Sequence, residues 1–285
     1  MAQRTTLILE GGAMRGLYSA GVIDVLMKNK IDFDVVYGVS AGALFGLNYK
    51  SRQIGRALRY NLKYANNKNY MGLYSFLTTG NIMNKDFCFN KLVYELDRLD
   101  FETYKNSPVD FYAVVTNIKT GKPEYIKVDD AEEGLEYFRA SGSMPFVSKP
   151  VEIGGQLYLD GGISDPVPFK KVLETGAEKI VVILTRPSGY RKKNLHSRLI
   201  YKLFYKNFPN FVKTASNRFQ TYNETMDLIE KYEAENKIVV LRPSKLIKIK
   251  RVEKDIEKLQ KIYDLGVSDS IKRLQQIKEY ICKKK

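Results

Sequence analysis

The chain has 285 residues, 44% of them hydrophobic, enough apolar matter for a sizeable core in one large domain or in a domain with an appendage. Its apolar runs are short and interrupted, none approaching the ~18 residues that cross a bilayer, and the opening MAQRTTLILEGG lacks the pattern of a secretory leader, so a cytoplasmic protein, at most peripheral at a membrane, is expected. The 47 basic residues against 32 acidic ones give a charge of +15, which attracts polyanions, and the two distant cysteines, Cys88 and Cys282, form neither a metal nor a redox spacing.

In chain order, TTLILE reads as a short strand, GGAMRG as a turn and LYSAGVIDVLMKN as a helix by its apolar spacing. DFDVVYGVS is a second strand that runs straight into AGALFGLNYKS, a helix with a first turn of small residues. A helical, tyrosine-rich stretch follows to about Leu99, and VDFYAVVTNIKTGKPEYIKV then reads as two strands joined around Thr120 and Gly121. DAEEGLEYFRAS is a helix, QLYLDGGI a strand and turn, PFKKVLETG a helix stopped at Gly176, and EKIVVILT a buried strand. This alternation, with continuously apolar strands, predicts a layered α/β/α fold around a mostly parallel sheet covered on both faces. The core is expected to span 1–187. A basic C-terminal region, 188–285, is mostly helical, with a strand near 237–242 and helices around 252–260 and 268–281.

Three short motifs stand at junctions where chemistry is possible. The first is Gly38-Val39-Ser40-Ala41-Gly42, a G-x-S-x-G between a predicted strand and a predicted helix. A serine on such a turn is pushed up with its hydroxyl exposed, and the helix N-terminus beneath it favours a developing negative charge. The same five residues also suit a glycine-rich turn with a capping serine. A nucleophilic serine needs a base, and the chain has one histidine, His196, in the basic stretch RKKNLHSRL. A Ser-Asp-His triad of the α/β-hydrolase kind takes its oxyanion donors from a loop after a third strand, yet only one strand fits ahead of the strand leading into Ser40. His196 is therefore read as a solvated side chain.

The remaining base is Asp160 in Tyr158-Leu159-Asp160-Gly161-Gly162, at the end of a short strand, where an ordinary Asp-Gly turn is the competing reading. An aspartate with a pKa near ~3.9 is a weak base for a hydroxyl, so burial would have to raise it or the helix end would have to acidify the serine. The third motif, Gly11-Gly12-Ala13-Met14-Arg15-Gly16, follows the first strand and opens a helix. Its successive amides suit an anion nest, whereas Ala13 breaks the G-x-G-x-x-G of a dinucleotide loop. Arg15 reads equally as a solvated helix-start residue.

These three motifs, in this order, resemble the patatin-like phospholipases, lipid acyl hydrolases that use a Ser-Asp dyad, and ASGSMPFVSKPVEIGGQLYLDGGISDPVP is similar to that family's approach to its aspartate; the resemblance covers about residues 7–184. It implies a serine hydrolase acting on fatty-acyl esters with no cofactor and no metal. In it Ser40 is the nucleophile, Asp160 the proton acceptor, and Gly11, Gly12 and Ala13 the oxyanion hole, with Arg15 at the loop's basic position. Gly16, Gly38, Gly42, Gly161 and Gly162 support the motifs. Ala13 stands where the family has a third glycine, and a positive φ there would cost the methyl group about 1 kcal/mol. A catalytically weak lipid-surface binding protein and an acyltransferase using the same dyad are the competing functions. The segment 190–213 interleaves basic and aromatic residues in a composition that suits an anionic membrane surface, or else a helix with its apolar stripe in the core; no nucleic-acid recognition module is visible.

Overall fold

The structure, a computed structural model, describes residues 4–194 and 198–282. Strands β1 (Thr5–Leu9), β2 (Val35–Val39), β3 (Asp110–Asn117), β4 (Pro123–Lys127), β5 (Val151–Ile153), β6 (Gln156–Asp160), β7 (Lys179–Ile183) and β8 (Val239–Leu241) form a single sheet in the path β5-β6-β3-β2-β1-β7-β8, with β4 also on β3. The run from β3 through β2, β1 and β7 to β8 is parallel, and β4, β5 and β6 pair antiparallel.

Strand side chains alternate between two apolar layers, which is why these runs read as continuously hydrophobic. Leu7, Leu9, Val36, Val181 and Ile183 enter the larger core on one face, whereas Ile8, Val35, Tyr37, Ile180 and Val182 enter the core on the other. The first face is covered by α1 (Leu17–Lys28), α2 (Ala41–Lys50), α3 (Arg56–Tyr64), a π-helical segment (Phe87–Leu96), α5 (Phe101–Asn106) and α6 (Ala131–Ser141), while α4 (Leu73–Thr79), between α3 and the π-helical segment in sequence, contributes no side chain to this core. The second face carries α7 (Phe169–Glu174), and the C-terminal region adds α8 (Arg198–Phe204), α9 (Pro209–Ala234) and α10 (Ile256–Cys282).

Two details differ from the sequence expectation. Val151–Ile153 is a strand of its own, turned back onto β6 by Gly154 and Gly155 at φ 56 and 73, values that a tight hairpin turn demands. The helices expected around 252–260 and 268–281 are one continuous helix, α10, which runs through Gly266. That glycine is an interior residue because α10 lies against α1: a Cβ on Gly266 would stand 2.1 Å from the Tyr18 carbonyl oxygen, and one on Gly21 2.3 Å from that of Tyr263. Two backbones meet there without side chains between them. The C-terminal region is thus fixed to the core, with β8 hydrogen-bonded to β7, α9 over one face and α10 over the other.

Gly266→Ala is expected to force the two helices apart and to cost about 1–3 kcal/mol, read as a lowered midpoint of urea unfolding. An unchanged midpoint would mean that the helices separate freely.

Candidate active site

The edge of β3 sets the site. Val114 pairs with Tyr125 of β4 and Val39 of β2, and Val115 pairs with Glu124 of β4 and Asp160 of β6. A strand has two edges, so β2 and β6 share the edge opposite β4 and meet end to end along it. Val39 is the last residue of β2 and Asp160 the last of β6, which brings Ser40 and Asp160 together although 120 residues separate them in sequence. The Ser40 Oγ donates to Asp160 Oδ2 at 2.6 Å.

Ser40 is held in an unusual backbone conformation, φ 54 and ψ −122, ahead of α2. Such a non-glycine residue costs about 1–3 kcal/mol and persists only where its surroundings fix it. Here the Ser40 N–H donates to the Ser141 Oγ at 2.8 Å, and that hydroxyl donates to the Val114 carbonyl at 2.7 Å, which pins the turn to β3. Gly42 lets α2 press onto the first strand, since a Cβ there would stand 2.3 Å from the Leu9 carbonyl oxygen. Ser141 was not singled out from sequence. It sits in the stretch preceding the aspartate, but a buried serine at a helix end carries no distinctive pattern.

Asp160 is 3% exposed and each of its polar groups is engaged. Its Oδ1 accepts from the Gly162 N–H at 2.7 Å, its N–H donates to Ser143 O at 2.8 Å, and its carbonyl accepts from Thr116 Oγ1 at 2.8 Å. Burial pushes its carboxyl above the ordinary aspartate range, against the opposing pull of the Arg218 charge and of the hydrogen bonds from Ser40 and Gly162. Arg218, on α9, donates from Nε to the Gly162 carbonyl. The place of Arg218 beside the aspartate depends on the packing of α9 and could not be read locally from sequence.

The loop Gly11-Gly12-Ala13 stands against the serine: a Cβ on Gly11 would lie 2.8 Å from the Ser40 Cβ. Among the described residues the N–H groups of Gly11, Gly12 and Ala13 have no hydrogen-bond acceptor, whereas that of Arg15 donates to the Gly12 carbonyl and is spent inside the turn. Ala13 has φ 51, so the methyl group does occupy a left-handed position. Arg15 is not a solvated helix-start residue: its Nε is buried without a partner among the described residues, and burial, with Arg186 nearby, holds its guanidinium below the usual range. His196 lies outside the described residues.

Two cavities meet at Ser40, Ala13, Met144 and Arg251. One is apolar and runs between α2, the π-helical segment and α6, past Leu44, Phe45, Met83, Phe89 and Leu135. The other is lined by basic side chains, among them Arg186, Lys192 and Arg218. The segment 190–213 does not form one surface helix: Lys192 faces this second cavity, Arg191 is tied to Asp227 and Glu230 of α9 at 2.6 and 2.7 Å, and helix α8 begins only at Arg198.

The model of the patatin-like phospholipase family matches residues 7–173, and that of a domain of unknown function (DUF6363) matches residues 208–281. The uncharacterized protein YjjU of Escherichia coli (strain K12) is 28% identical over 269 residues, covering 92% of this chain and 75% of that protein. Lysophospholipase nte1 of Aspergillus oryzae is 27% identical over 187 residues, covering 62% of this chain but 11% of its own length. The crystal structure of VipD from Legionella pneumophila aligns over 98% of this chain and 68% of that one, with a TM-score of 0.47 and 12% identity. The match over residues 7–173, more than half of the length, makes this chain a member of the patatin-like phospholipase family, and with it a hydrolase of the general lipid-esterase type.

Proposed function

We propose that the protein hydrolyses fatty-acyl esters of lipids through a Ser40-Asp160 dyad and an acyl-enzyme. The observation that carries this reading is the 2.6 Å hydrogen bond from the Ser40 hydroxyl to a buried carboxylate, on a turn beside three unpaired amides. Ser40 Oγ attacks the ester carbonyl while Asp160 Oδ2 takes its proton. The oxyanion that forms accepts from the amides of Gly11, Gly12 and Ala13 and faces the N-terminus of α2. Collapse expels the alcohol, which recovers the proton from Asp160. A water then gives a proton to Asp160, attacks the acyl-enzyme, and releases the fatty acid and free Ser40. The apolar cavity suits the acyl chain, as its lining is almost wholly hydrophobic and Arg56, one of its two charged residues, is engaged by Asp97. Within this reading residues 1–187 are the catalytic region, and 188–285 complete the walls of its site.

The site's surroundings support work at a membrane surface. Helix α8 turns Leu199, Leu203 and Phe204 outward at 76%, 76% and 64% exposure, and α4 likewise exposes Leu73 and Leu77. Phe146 packs its ring on Phe204 at 5.3 Å, and Val147 accepts from the Ile82 N–H just beyond α4, so both helices flank the loop that carries Met144 to the serine. Arg198, Lys202 and Lys206 accompany the apolar residues of α8, a composition suited to anionic lipid. No helix among the described residues is long and apolar enough to cross a membrane.

Ser40→Ala and Asp160→Asn are each expected to lower kcat/KM on a monoacyl ester by about 10³ or more, measured by fatty-acid release; retention of hydrolysis by the serine variant would remove the dyad. The base must be ionised, so activity is present above the Asp160 pKa and lost as pH falls through it. Because that pKa is raised, the acid limb of the kcat/KM profile is expected at a higher pH than an ordinary aspartate gives. Arg218→Gln removes a charge that favours the carboxylate, and the limb should move further up; a downward move would contradict the assignment. Sedimentation with vesicles is expected to be stronger on phosphatidylglycerol than on phosphatidylcholine and to weaken in Leu199→Asp, Leu203→Asp protein. Equal binding to both lipids would count against the surface.

A further inference from the structure

The basic cavity has a charge pattern that ester hydrolysis does not require. Arg15, Arg186, Lys192, Lys193, Arg218 and Arg251 line it, against two carboxylates, Glu10 and Asp160. Asp160 is bonded to the serine, and Glu10 accepts from the Thr185 N–H at 2.6 Å and from its hydroxyl. Among the described residues none of the six cations forms a salt bridge, although the chain makes many elsewhere. They are held by other means: Arg186 stacks on the Tyr190 ring at 4.3 Å, the Lys192 ammonium lies 3.9 Å from the centre of the Tyr222 ring, and Arg218 donates to the Gly162 carbonyl. Burial, with Arg218 beside it, pushes the Lys192 ammonium well below the usual lysine range. A folded chain that gathers six cations in a concavity against two carboxylates raises its own energy, and an anion of more than one charge reverses that cost.

We propose that this cavity is a headgroup subsite, and that it selects acyl esters whose alcohol carries a phosphate monoester a short linker away from the ester bond. The inference rests on the hydrolase reading and names its substrate class. Guanidinium groups match the planar edge of a phosphate with paired hydrogen bonds, and a lysine adds a point charge. A zwitterionic headgroup ending in an ammonium would meet repulsion there, since six cations face it against two carboxylates. The cavity and the apolar one diverge from Ser40, so an ester carbonyl at the serine would place the acyl chain in one and the phosphate in the other. Arg218, Arg251 and the apolar Val252 belong to the stretch 208–281, which gives that C-terminal region a role as wall of both subsites.

The test uses three esters with the same acyl chain, 1-acylglycerol 3-phosphate, 1-acylglycerol and 1-acylglycero-3-phosphocholine, dispersed in neutral detergent, with the full chain. The phosphate monoester is expected to show a kcat/KM higher than either of the others by on the order of tenfold or more, expressed in KM, and Arg186→Gln combined with Lys192→Met should abolish most of that preference. Lys193→Gln, at an exposed position, provides a second variant that folding cannot confound and should lower the preference in the same direction. Hydrolysis of all three esters at equal kcat/KM would overturn the subsite while leaving the dyad standing.

Calorimetric binding of the same lipids to Ser40→Ala protein reads the subsite without turnover. Preference for the phosphate lipid there supports it even if no ester is hydrolysed; equal binding overturns it. Inorganic phosphate separates the two possible sources of the anion. Competition with the phosphate lipid supports a shared subsite, whereas phosphate that binds without displacing the lipid would assign the cavity to a free anion and overturn the headgroup reading.

Discussion

The structure depends on one strand edge used twice. Along the side of β3 away from β4, β2 supplies the pairing up to Val114 and β6 takes it over from Val115. Two strands arriving from opposite directions must both stop there: β6 stops at Asp160 and β2 one residue before Ser40. Their meeting point is fixed by backbone hydrogen bonds of the sheet, so the Ser40–Asp160 distance is set by the most rigid part of the molecule. Ser141 reinforces this by tying the Ser40 N–H to the carbonyl of Val114. The strain of the serine's backbone is thereby carried by the sheet and by the close approach of α2 at Gly42.

The same packing resolves a conflict between two electrostatic demands. A carboxylate that accepts a proton from a hydroxyl must be more basic than a solvated aspartate, which calls for burial, yet it must remain ionised when substrate arrives, which calls for nearby positive charge and hydrogen bonds. Burial dominates at Asp160, with Arg218, Ser40 and Gly162 opposing it. Arg218 comes from α9, so the electrostatic setting of a residue on β6 depends on a helix of the C-terminal region, which in the proposed dyad serves the chemistry as well as the fold. Its attachment is made by β8 on β7 and by the backbone contact of α10 with α1 at Gly21 and Gly266.

The layered fold was legible because buried parallel strands are apolar on both faces and the turns between them carry glycines at the strand ends. The placement of Ser40, Asp160 and the Gly11–Ala13 loop was legible for the same reason: each stands at a strand end inside a short glycine-bearing pattern. The elements that escaped were those defined by distant partners. Gly266 reads as a helix stop in isolation and is an interior helix residue only because the backbone of α1 lies against it. Lys192 and Arg191 look alike in a basic stretch, yet one faces the cavity beside the serine and the other is neutralised by Asp227 and Glu230, carboxylates a helix away. Gly154-Gly155 did carry a local hairpin signal, and the short strand before it could have been read from that pair.

The central claim, that Ser40 is a nucleophile activated by Asp160, is tested most directly by intact-mass detection of covalent labelling with a lipid-like fluorophosphonate, which needs no knowledge of the substrate. A single adduct on the wild-type protein is expected, absent in Ser40→Ala and formed much more slowly in Asp160→Asn. No adduct on well-folded wild-type protein, or an adduct that persists in Ser40→Ala, would contradict it.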